Sequence, residues 1–163
     1  RGREFAARNS DMMFTGIRTS PEEISDDIAP LKEQAKSYGR EIGIFTNCYI
    51  VCRPTRKEAE EYHDYYALEM ADHGAVNNLI EGRSVRGRFD ELPEAMLRNL
   101  KQRAGGGNGA YPIVGDPDDV ASLLVKLNAA GIDAFAMGMA NYLEHFPFFR
   151  DEVLPRLEEA GVR

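Results

Sequence analysis

The chain has no tryptophan, two cysteines and three histidines in 163 residues. Each scarcity narrows what it can do. Cys48 and Cys52 stand four residues apart in an apolar run, so on a strand they share one face about two side-chain periods apart. That is poor disulfide geometry, and two thiols alone are an incomplete metal set. The plain reading is a pair of small buried apolar residues in a reducing cytoplasm. His63, His73 and His145 have no acidic or histidine partner at metal-ligand spacing, so no metal is expected. His63 and His73 read as helix-surface or packing residues. No apolar run approaches the roughly 18 residues of a membrane span, and no secretory leader is expected. Positive charge is also in deficit, with 20 Lys and Arg against 27 Asp and Glu, a net charge of −7 and a pI near 5.0. A phosphate backbone needs a basic surface, so nucleic acid is not the expected partner. The one local cluster of cations, Arg83, Arg86 and Arg88, reads as a solvated loop.

What is present is an alternation of strand and helix signals. Met12 to Thr15 reads as a short buried strand after a helix end. Ser20-Pro21-Glu22-Glu23 starts a helix, with Ser as N-cap, Pro at the first position and acids in the first turn. Ile24, Ile28, Leu31 and Ala35 carry it forward at helical spacing; Pro30 should bend or break it, and Gly39 should stop it. Ile42 to Cys52 is the strongest strand signal, too continuously apolar for a half-exposed strand. Thr55 with Glu58 three residues on suggests a capping box. The helix it opens shows a packed face of Ala59, Tyr62, Tyr66, Met70 and His73. A further helix is expected from Leu92 to Gln102. The glycine run in 104–110 costs much backbone entropy to order and reads as a flexible lid. Tyr111 to Val114 is a strand, Asp116-Pro117 caps a helix closed by Ala130-Gly131, and Ile132 to Met139 is a strand followed by a last helix. Strands alternating with helices predict an α/β fold with four parallel strands and an irregular helical excursion between the second and third. Four such units are half of an eight-stranded barrel.

Three blocks carry a resemblance: Gly2 to Asn9 leading into Asp11-Met12-Met13-Phe14-Thr15; Ile42-Gly43-Ile44 through Val51-Cys52-Arg53-Pro54-Thr55 and Glu58-Ala59; and the tail from Tyr111 to Arg163. They resemble strands five to eight, with their helices, of the bacterial luciferase-like flavin monooxygenases. The resemblance implies that residues 1–163 are the C-terminal half of a (β/α)8 barrel. It also implies an enzyme that takes reduced FMN from a separate flavin reductase and uses O2 to oxygenate a small organic substrate. The absence of Met at Arg1 leads to the expectation that the start is not native.

The site residues follow from the same resemblance. Gly2 and Arg3 match the helix start near the flavin phosphate, where free backbone N–H groups favour an anion; the Gly-Ser pair that precedes it in the family has no counterpart here. An Arg and a His on strand six of alkanesulfonate monooxygenase fall on Asn47 and Tyr49, and its active-site Tyr after strand eight falls on Ala140. Its loop Arg corresponds to Arg103. This chain is therefore expected in another branch, with its catalytic residues unassigned. Asn47, Tyr49, Arg103 and Met137 are the candidates for substrate or lid contact. Asn141, just past the last strand, is a candidate for the flavin, and His145 lies on a helix beside the barrel mouth. Half a barrel leaves open sheet edges and an uncovered face, so a second copy or a missing N-terminal half is expected to pair with it. Two alternatives stand beside the monooxygenase: a non-catalytic half-barrel that serves assembly or binding, and a deazaflavin-dependent oxidoreductase.

Overall fold

The computed structural model describes residues 1–17, 20–83 and 92–162. Helix α1 (Gly2–Asn9) leads into strand β1 (Met12–Phe14), and α2 (Pro21–Ser37) connects to β2 (Gly43–Cys52). The excursion follows: α3 (Arg56–Asp64), a π-helical turn (Tyr65–Glu69), α4 (His73–Arg83) and α5 (Glu94–Gly107). Then come β3 (Tyr111–Gly115), α6 (Pro117–Ala129), β4 (Ala134–Gly138), α7 (Tyr142–Phe148), a second π-helical turn (Phe149–Val153) and α8 (Leu154–Glu159).

The helix starts follow local chemistry. The Ser20 and Thr55 hydroxyls accept from the backbone N–H groups of Glu23 and Glu58. Asp116 and Asp119 form a reciprocal capping box at the start of α6. Gly39, at φ 71°, ends α2 as expected. Pro30 does not break α2: the helix runs through it, with Ile28 and Leu31 on either side buried in the core. The apolar face on both sides of the proline outweighs the one lost hydrogen bond.

All four strands are parallel, as the alternation predicts. Phe45 pairs with both Phe14 and Ala134, so β1 and β4 occupy opposite edges of β2. Cys48 and Tyr49 pair with both β3 and β4, so β3 also lies opposite β4. In a closed barrel the strands pair in chain order, which would put β4 beside β3. Here the ten residues of β2 take β1 (three residues) and β3 (five residues) end to end along one edge, and β4 along the other. The Asp133 carboxylate fixes this second pairing, accepting from the Ile44 N–H at 2.7 Å and from Lys32 Nζ of α2 at 2.9 Å.

The two faces of the sheet differ. Ile44, Cys48, Ile50 and Cys52 point into the main core, where α2, α6 and the second π-helical turn cover them. Met13, Phe135 and Met137 pack on the same side. On the opposite face, Tyr49 and Val51 form a small second core with Ala59 and Ala110. Below them the face is open: Met12 and Phe14 are exposed, and Phe45 and Asn47 are half-buried. Phe14 and Phe45 stack edge to face there, with centroids 5.0 Å apart. The expected uncovered face is thus present.

Candidate functional site

A cleft of about 670 Å3 opens on this second face, between β2, the end of β4 and the C-terminal turn of α5. Asn47, Tyr49 and Met137 border it, with the small residues Ala136, Gly138 and Ala140 along one wall. Strand alternation explains the first two: odd positions of β2 face the cleft and even positions the main core. Met137 itself packs against the main core while bordering the cleft, and its carbonyl accepts from the Tyr142 hydroxyl at 2.9 Å.

Gly105, Gly106 and Gly107 form the opposite rim. The sequence suggests a loop there, but these glycines are the last turn of α5, and the chain turns only at Asn108 (φ 52°) and Gly109 (φ 82°). Packing gives the reason. A Cβ on Gly106 would lie 2.9 Å from the Tyr49 hydroxyl oxygen, and one on Gly107 would overlap the Tyr49 ring. A Cβ on Gly105 would overlap the Ala67 carbonyl of the first π-helical turn. The glycines let α5 lie directly on Tyr49, and that contact orders them.

Tyr49 is therefore held from several sides. Its hydroxyl is 2.8 Å from His63 Nε2 and 3.3 Å from the Gln102 carbonyl oxygen. One phenolic proton serves either acceptor; if it goes to Gln102, a neutral His63 donates from Nε2 instead. Burial pushes the Tyr49 and Tyr66 hydroxyls well above the ordinary phenol range and lowers His63, so both tyrosines and the imidazole are neutral near pH 7. The Cys48 thiol is pushed by burial to about 12. The Tyr66 hydroxyl donates to the Gly106 carbonyl at 3.3 Å. Asp64, next in sequence to His63, accepts from Gln102 at 2.6 Å and from Arg98 at 2.7 Å, which ties α5 to α3.

A neighbouring cluster surrounds the end of β2. Arg53 donates to His145 Nε2 at 2.9 Å and to the Cys52 carbonyl at 3.2 Å, and its guanidinium stacks 4.0 Å from the Tyr62 ring centre. His145 accepts at Nε2, so its one proton is on Nδ1; burial and then the Arg53 charge lower its pKa. His63 and His145 are each only 7% exposed, whereas His73 and Met70, expected on the packed face, are exposed. The π-helical turn at Tyr65–Glu69 adds a residue to the helical period, the helix ends at Met70, and His73 stands at the start of the separate helix α4. The signal for this cluster was Tyr62-His63 and Tyr66 on the helix that follows a tyrosine-bearing strand.

The other expected residues do not converge on the cleft. Arg103 donates to the Ile17 carbonyl at 2.7 Å and to the Gly109 and Ala110 carbonyls at 3.3 Å, so it fastens the turn after α5 to the segment after β1. Asn141 caps α7: its side-chain oxygen accepts from the Leu143 N–H at 3.2 Å and its amide donates to Glu144. Gly2 and Arg3 lie on the other side of the sheet. Arg3 borders a separate cavity of about 370 Å3 with Thr15, Gly16 and core residues such as Met13 and Leu31, and it pairs with Asp27 at 3.1 Å. Arg86 and Arg88 lie outside the described residues.

The cleft fits a flavin ring: its lining is uncharged and largely of small residues, and its hydrogen-bonding groups are neutral. The α1 terminus fits the phosphate less well, because the Arg3 guanidinium already holds a carboxylate and Glu4 adds negative charge to the first turn. Among the described residues no group of three or more His, Cys, Asp or Glu could hold a metal ion, and no helix is long and apolar enough to cross a membrane.

Comparison with known proteins adds the family context. The family model described as luciferase-like monooxygenase matches residues 1–134. The chain is 27% identical over 166 residues to an FMNH2-dependent dimethylsulfone monooxygenase of Pseudomonas fluorescens (strain Pf0-1), covering 99% of this chain and 44% of the relative. It is 30% identical over 173 residues to a sulfoquinovose monooxygenase of Novosphingobium aromaticivorans, covering 98% of this chain and 47% of the relative. The solved structure of DmoA from Hyphomicrobium sulfonivorans superposes with a TM-score of 0.79 at 23% identity, over 99% of this chain and 40% of that one. The likeness to DmoA carries the fold, that of part of a TIM-barrel protein. The chain spans less than half the length of the curated relatives it matches.

Proposed function

Since the chain belongs to the luciferase-like monooxygenase family, we propose that it supplies the C-terminal half of the barrel of a flavin-dependent enzyme that uses reduced FMN and O2 to oxygenate a small organic substrate. The observation that carries this reading is the cleft: neutral, lined by glycine and alanine, and located where strands β2 and β4 run out toward the barrel mouth. When bound, reduced flavin supplies the electrons that activate O2. This chain's residues bind and orient. Tyr49, locked by His63 and Gln102, presents a fixed wall, and Asn47 presents an amide to the ligand. The α5 glycines bring backbone close over the site and help keep water out. Gly2 and Arg3 reach a phosphate only if Asp27 releases Arg3, and that exposed ion pair is a weak one. Asn141 contributes by setting the start of α7 beside the cleft. The open face takes either the N-terminal half of the barrel or a second copy. A separate reductase provides the reduced flavin, and the two unpaired buried cysteines suit a reducing cytoplasm.

Anaerobic titration of the chain with reduced FMN, oxidised FMN and a deazaflavin, followed by absorbance, tests the reading. Saturable binding of reduced FMN is expected. Preference for the deazaflavin would replace the oxygenase with a hydride-transfer enzyme, and no binding of any of them, alone or with an N-terminal half added, would leave an assembly module.

A further inference from the structure

The wall that this chain gives to the cleft carries no charge. Among the described residues, no Lys, Arg, Asp, Glu or His borders it. Burial keeps the phenols of Tyr49 and Tyr66 and the thiol of Cys48 protonated. The nearest cations are engaged elsewhere. Arg103 serves three backbone carbonyls, and Arg53 serves His145 and the Cys52 carbonyl while stacked on Tyr62. An anion entering this cleft would lose its hydration without gaining a counter-charge from this wall, which is costly.

One polar side chain stands apart. Asn47 borders the cleft half-buried, and no hydrogen bond engages its amide among the described residues. Its pairing partner on β4 is Ala136, a small neighbour that leaves the amide accessible. An amide brings two N–H donors and one acceptor. Left without a partner in a partly desolvated site it costs free energy, so a ligand that accepts from it gains that much selectivity.

We propose that this wall selects an uncharged substrate bearing a strong hydrogen-bond acceptor, of the sulfone, ketone or amide class, and that Asn47 is the residue that recognises the acceptor. The inference rests on reading the cleft as the substrate end of a flavin site, and the measurements separate the two.

Dimethyl sulfone and methanesulfonate are close in size and differ by one charged oxygen in place of a methyl group. Each is titrated into the chain while the Asn47 side-chain NH2 and the Ala136 and Gly138 amides are followed by NMR. The sulfone should shift these signals saturably, with methanesulfonate weaker by about tenfold or more, and Asn47→Ala should weaken the sulfone by roughly five- to tenfold. Equal or tighter binding of methanesulfonate, shifts confined to other residues, or no saturable shift would overturn the proposal. A parallel FMN titration keeps the readings apart. A chain that takes the sulfone but no flavin supports this inference while sinking the flavin reading. FMN that displaces the sulfone from Asn47 assigns the amide to the flavin ring and overturns the substrate role.

Discussion

The two faces of strand β2 are built from alternate residues of one ten-residue segment, yet they have opposite characters. The even positions, from Ile44 to Cys52, are buried under α2 and α6 and make the fold. The odd positions begin open at Phe45 and Asn47 and close only where α5 lies over Tyr49 and where Val51 joins Ala59 and Ala110 in the second core. The first face is held by apolar contact and tolerates little change of volume. The second is held by glycine contact, phenol–imidazole hydrogen bonds and an unfinished apolar surface. A single strand can therefore carry structure on one face and a site on the other, with Tyr49 serving both packing and site.

Substitutions should separate the faces. Ile44→Ala, on the covered face, should cost about 2–5 kcal/mol in denaturant unfolding while leaving ligand shifts at Asn47 unchanged. If those shifts vanish in protein that is still folded, the faces are not independent. Gly107→Ala should cost about 1–3 kcal/mol, because the new Cβ would overlap Tyr49, and should also disturb the cleft. An Ala variant as stable as the parent would mean that α5 does not rest on the ring.

The pH dependence sharpens the contrast. His63 and His145 have folded pKa values below the ordinary 6.5, so the unfolded chain takes up protons more readily than the folded one. Their contribution is present in full above pH 6.5 and falls as the pH drops below it toward the lowered values. Melting temperatures across pH 7.5 to 5 should decline, and His63→Asn should flatten part of the slope; an unchanged slope would contradict the buried, neutral imidazole. On the covered face, Thr46 is fully buried and its hydroxyl has no hydrogen-bond partner among the described residues. Thr46→Val should stabilise by about 1 kcal/mol, and a loss on chemical denaturation would mean that the hydroxyl is bonded. The smallest effect is expected at the site: Asn47→Ala should change stability by no more than about 0.5 kcal/mol while weakening ligand.

Much of the covered face was legible in the sequence. The run from Ile42 to Cys52, the caps at Ser20, Thr55 and Asp116, and the stop at Gly39 each rest on local chemistry, and local chemistry decided them. The open face was legible only as a pair of positions, Asn47 and Tyr49, because alternation sets which residues share a face but not what covers them. The glycine run misled for a related reason: its entropy cost is local, whereas the Tyr49 ring that fixes it lies more than fifty residues earlier in the chain. His63 and His145 were read from their own neighbours in sequence, and their partners are Tyr49 on β2 and Arg53 just past its end, 14 and 92 residues away. The pairing of β4 with β2 depends on Asp133 and on the length of β2 together, which no single window contains.

The most direct test of the central claim is a residue-by-residue NMR map of the chain on addition of reduced FMN under anaerobic conditions. The account predicts shifts on the odd face and its rim, at Tyr49, Gly106 and Ala140, with Ile44, Ile50 and Leu127 unmoved. Shifts confined to the covered side, around Ile44, Ile50 and Leu127, would contradict it.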